Sequence, residues 1–259
     1  MNATTEELMT IAASRRLPNH AVCFVGIGLP STAANLARLT HAPDVVLIYE
    51  SGPIGARPSV LPLSIGDGEL AETADTVVAT AEVFRYWLQG GRIDVGFLGA
   101  AQIDRFANIN TTVIGDYHAP KTRLPGAGGA PEIAASAKEI LLILRQSPRS
   151  FVEKLDFITS AGHLTGGDSR TKAGMRGNGP SAVITDLCVM EPDPVTRELT
   201  VVSLHPEVSR DDVIKATGWA IRFADTVGIT AAPADDELRA LRELKERTRV
   251  AHGNQEVSA

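Results

Sequence analysis

An α/β fold, built on an open, mainly parallel sheet with helices on both faces and an antiparallel addition, is what this sequence predicts. Three observations point to it. Short apolar, β-branched runs alternate with helical patterns through the first half, as strands and crossover helices do. Two later runs, SAVITDLCVMEP (181–192) and LTVVSL (199–204), are joined by the polar turn DPVTRE and read as paired antiparallel strands. The 259 residues contain no Pro/Gly-rich linker, internal repeat or low-complexity tract, so a single domain over 1–259 is the simplest account.

Each element has a local reason. Thr4 followed by Glu7 resembles a capping box, and Leu8, Ile11, Ala12 and Leu17 fall at helical spacing, which predicts a helix over 5–16. AVCFVGI (21–27) reads as a buried strand. Gly26, Gly28 and Pro30 then turn the chain into a helix over 31–40, with Ser31 near its cap. VVLIY (45–49) is the next strand, and it ends in Glu50, Ser51 and Gly52. TVVAT (76–80) and VGFLGA (95–100) are short apolar runs around a helical stretch, AEVFRYWLQGG, that closes on Gly90 and Gly91. ILLIL (140–144) is another buried run, followed by FVEKLDFIT (151–159). Ser209, with Asp211 and Asp212 in the first turn, starts a helix through Thr217. ELRALRELKERTRV (237–250) is an amphipathic C-terminal helix, and the last residues, HGNQEVSA, are expected to fray.

Composition narrows the function. Hydrophobic residues make up 44% and charged residues 22%, as in an ordinary globular protein. A net charge of −6 without a basic block argues against a nucleic-acid partner. Cys23 and Cys188 lie in apolar runs and read as buried thiols, which fits an intracellular compartment. The N-terminus lacks the apolar core of a signal peptide, and no run approaches the roughly 20 apolar residues that cross a bilayer. A cytoplasmic protein without a membrane partner is expected.

Candidate chemistry clusters at strand ends. Ligands of open parallel sheets bind beyond the carboxyl ends of the strands, and Glu50, the turn VGIGLP (25–30) with Gly28, and the turn GAAQID (99–104) with Gln102 are such ends. Glu50 could equally be a solvated residue opening a turn. The stretch 104–123 shows little periodicity and carries Asn108, Asn110, Asp116, Tyr117, His118, Lys121 and Arg123; long irregular loops in compact domains are usually functional or disordered, and this one is not low-complexity. Gly126, Ala127, Gly128 and Gly129 precede a helix in PEIAASAKE with Pro131 at its first position, a setting in which backbone N–H groups approach an anion, or a tight turn simply packs. The six histidines show no metal-ligand spacing, so no metal site is expected. There is no P-loop and no G-x-S-x-G. Asp104 and Asp116 read as acid/base partners or turn caps, and RTKAGMRGNG (170–179) as a surface loop or a contact to a phosphate-bearing ligand.

Taken in order, E-S-G after a hydrophobic strand, G-A-A-Q-I-D, N-I-N-T, I-G-D-Y-H-A-P-K-T-R and G-A-G-G-A resemble the B-type subunit of class I coenzyme A transferases, in the glutaconate CoA-transferase branch. G-I-G-L-P near residue 26 and S-L-H-P-E-V-S with A-T-G-W fit as well, so the resemblance runs from about residue 5 to 230. The tripeptides are unspecific; their order and spacing are specific. Ala100 departs from the pattern, since this branch is expected to carry glycine there.

The resemblance implies a CoA-transferase-like fold, a separate homologous A-type CoA-transferase subunit as partner, and an active site at their interface. It implies Glu50 as covalent nucleophile, and Gly126, Gly128 and Gly129, with Gly28 and Gln102, as oxyanion or CoA-binding positions. Asn108, Asn110 and His118 are the candidate substrate-loop residues. The reaction implied moves CoA between an acyl-CoA and a carboxylic acid, of the dicarboxylate or 3-oxo acid class, through a glutamyl-CoA thioester with ping-pong kinetics. CoA enters as a thioester substrate, and no tightly bound cofactor is expected. Rival readings on the same scaffold are a thioester hydrolase, a C–C hydrolase, a decarboxylase or a non-catalytic CoA-binding subunit.

Overall fold

Thr4 caps the first helix in the computed structural model, which describes residues 3–253. Its hydroxyl accepts the Glu7 N–H at 3.2 Å, and Glu7 Oε2 accepts the Thr4 N–H at 2.8 Å, so the expected capping box is present. The chain forms two compact units. One takes the chain up to Gly99 and the stretch from Ala232 onward; the other is Ala100–Ala231. The sequence carries no linker signal at either junction.

The first unit starts with α1 (Thr5–Ser14), which buries Leu8, Met9, Ile11 and Ala12. Then come β1 (Val22–Val25), α2 (Leu29–Leu39), β2 (Val46–Ile48), β3 (Pro53–Ile54), α3 (Gly68–Glu72), β4 (Thr76–Val77), α4 (Thr80–Glu82), a π-helical segment Val83–Leu88 and β5 (Val95–Leu98). Strand order in this unit is β5-β1-β2-β3-β4. The buried strands β5, β1 and β2 are parallel, with Phe24 opposite Ile48 on one side and Gly96 on the other. β3 and β4 are short antiparallel additions. Two expectations shift. The helix after β1 begins at Leu29, not 31, because Gly28 (φ 81°) is its cap and Pro30 fits a first turn whose N–H groups have no helical partner anyway. The run 76–80 keeps only two strand residues, both exposed, before α4 begins.

The second unit opens with β6 (Gln102–Ile103), β7 (Ile109–Asn110), β8 (Val113–Gly115) and β9 (Pro120–Arg123). These form two antiparallel pairs, β6-β7 and β8-β9, in place of the irregular loop that the sequence predicts. α5 (Ala130–Ser136), β10 (Glu139–Ile143), α6 (Ser169–Lys172), β11 (Pro180–Ile184), β12 (Cys188–Pro192), β13 (Leu199–Leu204), α7 (Arg210–Lys215) and β14 (Arg222–Ile229) follow. β10 and β11 are parallel, β11-β12-β13 are antiparallel, and β14 returns parallel to β13. The expected antiparallel addition is therefore present. The segment 181–192 contributes two strands to it, because the Thr185 hydroxyl turns the chain by accepting the Leu187 and Cys188 N–H groups at 3.0 and 2.9 Å. FVEKLDFIT forms no strand; Phe151 and Ser160 make only isolated bridges to Ile103 and Ile109.

The chain then re-enters the first unit as α8 (Asp235–His252), whose Leu238 and Leu241 pack on Ile11 and Leu36. His252, at the start of the stretch expected to fray, is helical, with Nε2 3.2 Å from the Leu61 carbonyl; residues 254–259 lie outside the described residues. No helix among the described residues is long and apolar enough to cross a membrane.

α8 is also fastened to α1 by charge. Arg242 Nε and Nη2 donate to Glu7 Oε1 and Oε2 at 2.6 and 2.9 Å. That bidentate bond, with those from Thr4, outweighs burial and holds the Glu7 carboxyl at about 2 instead of 4.5. A carboxyl depressed on folding stabilises fully above its unfolded value, and the contribution fades as pH falls from 4.5 toward 2. The expected outcome is a urea midpoint for Glu7→Gln below wild type at pH 6, with the gap closing across that acid window.

Candidate active site

Because β5, β1 and β2 are parallel, their carboxyl ends share one edge of the first unit. Gly99 and the turn Gly26–Gly28 follow those ends directly, and Glu50 follows after Tyr49. The turn after β1 hugs the sheet: the Gly26 N–H donates to the Phe97 carbonyl at 3.0 Å, and a Cβ at residue 26 would stand 3.1 Å from that oxygen. Gly28 then starts α2, so the positive end of the helix dipole lies at the same edge as Glu50.

Glu50 sits at the tip of a tight turn between β2 and β3. The Gly52 N–H donates to the Tyr49 carbonyl at 3.0 Å, and the Tyr49 N–H to the Pro53 carbonyl at 3.1 Å. These bonds close the chain around residues 50 and 51, leaving both half-buried. Glycine at 52 is a physical requirement. Its φ is 124°, and an added Cβ would lie 2.0 Å from the Val78 carbonyl oxygen. The Ser51 hydroxyl donates to the Ile65 carbonyl, tying the turn to the segment before α3.

Behind the turn lies a polar group that sequence reading missed. The Tyr49 side chain is fully buried, with Oη 3.2 Å from Ser31 Oγ and 3.2 Å from Asn35 Nδ2, both on α2. Burial raises the phenol above its usual range, partly offset by those two bonds, so it stays protonated. Ser31 and Asn35 at helical i, i+4 spacing on a face that is otherwise apolar were the available signal.

The second unit places the remaining candidates. Gly126 has φ 106°; its N–H donates to the Thr111 carbonyl at 2.9 Å, and its carbonyl accepts the Thr111 hydroxyl at 2.8 Å. Gly128 is exposed with φ 48°, and among the described residues its N–H has no partner. Gly129 is buried as the cap of α5, its carbonyl accepting the Ile133 N–H at 3.0 Å. Among Gly126, Gly128 and Gly129, Gly128 is the exposed one.

Gln102, Asn108 and Asn110 are buried, and their amides are engaged inside the chain. Gln102 donates to Asp156 at 2.9 Å and accepts from Asn110 at 2.7 Å. Asn110 also donates to the Val113 carbonyl at 2.6 Å and accepts the Thr112 N–H at 2.9 Å. Asn108 donates to Asp104 and the Leu164 carbonyl, both at 2.8 Å, and accepts the Gly162 and Leu164 N–H groups at 2.8 and 3.1 Å. These amides act as clips on the short strands, where the sequence suggests substrate contacts for Asn108 and Asn110 and an oxyanion or CoA-binding position for Gln102. His118 is exposed, its ring set edge-on to Tyr117 with centroids 5.4 Å apart. Asp104 and Asp116 are turn caps: Asp104 accepts the Phe106 and Asn108 N–H groups, and Asp116 those of His118 and Ala119. Burial raises the Asp104 carboxyl despite those bonds. In the glycine-rich stretch, Arg170 is a buried pin, donating to the Gly177 and Gly162 carbonyls at 2.7 and 2.8 Å and to that of Ala134. Burial lowers its guanidinium to about 10.

Comparison with known proteins adds a common thread. The model of the family described as Coenzyme A transferase matches residues 6–216. The chain is 73% identical over 252 residues to the B-type subunit of 3-oxoadipate CoA-transferase from Pseudomonas knackmussii, covering 97% of each chain. It is 33% identical over 236 residues to the B-type subunit of glutaconate CoA-transferase from Acidaminococcus fermentans, covering 89% of this chain and 88% of the other. The crystal structure of glutaconate coenzyme A-transferase from that organism superposes with a TM-score of 0.89 at 30% identity, covering 96% of each chain.

Proposed function

This chain belongs to the coenzyme A transferase family, as the B-type subunit acting with an A-type partner, and on that premise we propose that Glu50 is the nucleophile of CoA transfer. The observation that carries the class of reaction is the 73% identity, over 97% of both chains, to a B-type subunit of 3-oxoadipate CoA-transferase. It supports a 3-oxo dicarboxylic acid as acceptor. What supports Glu50 is its place: a carboxylate at the tip of a tight turn, at the carboxyl edge of three parallel strands.

The Glu50 carboxylate attacks the thioester carbonyl of the acyl-CoA. The tetrahedral intermediate collapses to an acyl-glutamyl anhydride and CoA thiolate. The thiolate attacks the glutamyl carbonyl of the anhydride, releasing the first carboxylate and leaving CoA on Glu50 as a thioester. The acceptor acid then reverses these steps and departs as the new acyl-CoA. Thioester energy is carried through, so no nucleotide is consumed. Each intermediate bears an oxyanion, and one backbone N–H donor aimed at it is worth about 3 kcal/mol. A cytoplasmic setting suits this chemistry and the two buried, unpaired thiols, Cys23 and Cys188.

The test is intact-mass measurement of this subunit, co-expressed with its A-type partner and incubated with acetyl-, succinyl- or glutaryl-CoA, with and without 3-oxoadipate. The expected result is a borohydride-sensitive adduct of CoA mass that maps to Glu50 and disappears when the acceptor is added. Steady CoA release without acceptor would instead indicate a hydrolase.

A further inference from the structure

We propose that Tyr49 is a positioning residue for the reaction, its hydroxyl setting the place of Glu50 relative to the Gly28 turn. The proposal rests on the reading of Glu50 as nucleophile. Tyr49 is held from two sides. Its main chain makes both bonds of the nucleophile turn, to Gly52 and Pro53 at 3.0 and 3.1 Å. Its side chain is held by α2, through Ser31 Oγ and Asn35 Nδ2, each 3.2 Å from Oη. Asn35 is itself oriented, since Nδ2 donates to the Ser31 carbonyl at 2.9 Å and Oδ1 faces Arg38 Nε and Nη2 at 3.4 Å. Arg38 in turn donates to the Pro58 carbonyl at 2.8 Å. The helix that carries this group begins at Gly28, on the edge where Glu50 emerges. A rigid path therefore runs from one turn of that edge to the other.

Packing alone does not ask for this arrangement. A phenylalanine would fill the same space, while a buried hydroxyl costs free energy unless it is paired. Three polar groups, Ser31, Asn35 and Tyr49, are each at most 1% exposed and hydrogen-bond to one another. Such a network fixes the register between a strand end and a helix more tightly than apolar contact does. Reaction rates are sensitive to that register: displacing a reacting group by about 1 Å costs about 100-fold.

The experiment uses the heteromer of both subunits carrying Tyr49→Phe, with Asn35→Ala as the second variant should the first not fold, and Glu50→Gln as reference. Steady-state kcat and KM are measured with acetyl-, succinyl- and glutaryl-CoA and 3-oxoadipate, and the rate of CoA adduct formation is followed by mass per folded heteromer. The expected result is a fall of about 10- to 100-fold in kcat and in the adduct rate, with KM within about twofold. An adduct rate equal to wild type overturns the proposal. So does a rise in KM at unchanged kcat, or a loss that merely tracks the folded fraction. If Glu50→Gln still forms the adduct, the nucleophile assignment has failed, and that outcome is separate from the behaviour of Tyr49→Phe.

Discussion

Replacing Glu50 by Gln is expected to lower kcat of the heteromer by at least about 1,000-fold, equivalent to about 4 kcal/mol of barrier at 1.36 kcal/mol per decade. Glutamine keeps the size of the side chain. The turn is closed by bonds of the Tyr49 and Gly52 backbone and of the Ser51 hydroxyl, none of which the change removes. What is lost is the anionic oxygen to which the proposed attack on the thioester is assigned. An amide cannot form the anhydride, and the route through a covalent intermediate closes. Glu50→Asp keeps the charge but withdraws it by one methylene, and a loss of about 100-fold is expected from misplacement alone. Stopped assays with acyl-CoA and 3-oxoadipate measure both variants. Wild-type turnover by Glu50→Gln would refute the nucleophile outright.

The parts of this protein that are legible in its sequence are those set by local rules. The Thr4–Glu7 capping box, the parallel β1 and β2, and the Ser209-capped helix all depend on neighbours within a few residues or on simple apolar runs, and all are found. The stretch 104–123 is harder. Its hairpins are held by Asn108, Asn110 and Gln102, whose partners include Leu164 and Asp156, about 50 residues away and without any periodic signal. The same gap explains two misread polar groups. Arg170 reads as a loop cation, yet its guanidinium is consumed by carbonyls from residues 134, 162 and 177. Ser31 reads as a cap, yet its hydroxyl faces a tyrosine that follows the next strand. Spacing along the chain shows where a carboxylate can emerge; it does not show which buried amides and hydroxyls bond to one another behind the turn.

Gly52 brings these two levels together, and Gly52→Ala is expected to carry the largest stability cost of any single methyl added to the turn that carries Glu50. Two effects add. A φ of 124° is a region L-residues avoid, at about 1–3 kcal/mol. The added methyl would also overlap the Val78 carbonyl, 2.0 Å away, and that carbonyl belongs to a residue whose own N–H donates to the Gly52 carbonyl at 3.1 Å. Backbone atoms on both sides must give way, so the turn opens and β3 and β4 lose register. Gly91 in the same unit provides the control: its φ is 72° and nothing lies within 4 Å of an added Cβ, so Gly91→Ala bears backbone strain without the clash. The expected cost is about 1 kcal/mol for Gly91→Ala and about 3 kcal/mol or more for Gly52→Ala, or roughly 2–4 °C against 6–12 °C in Tm. Because the opened turn carries Glu50, the Gly52 variant is also expected to lose adduct formation in whatever fraction remains folded, whereas the Gly91 variant keeps it. Equal melting shifts for the two variants would mean that the Val78 carbonyl does not confine the turn, and that the E-S-G sequence has its glycine for φ alone.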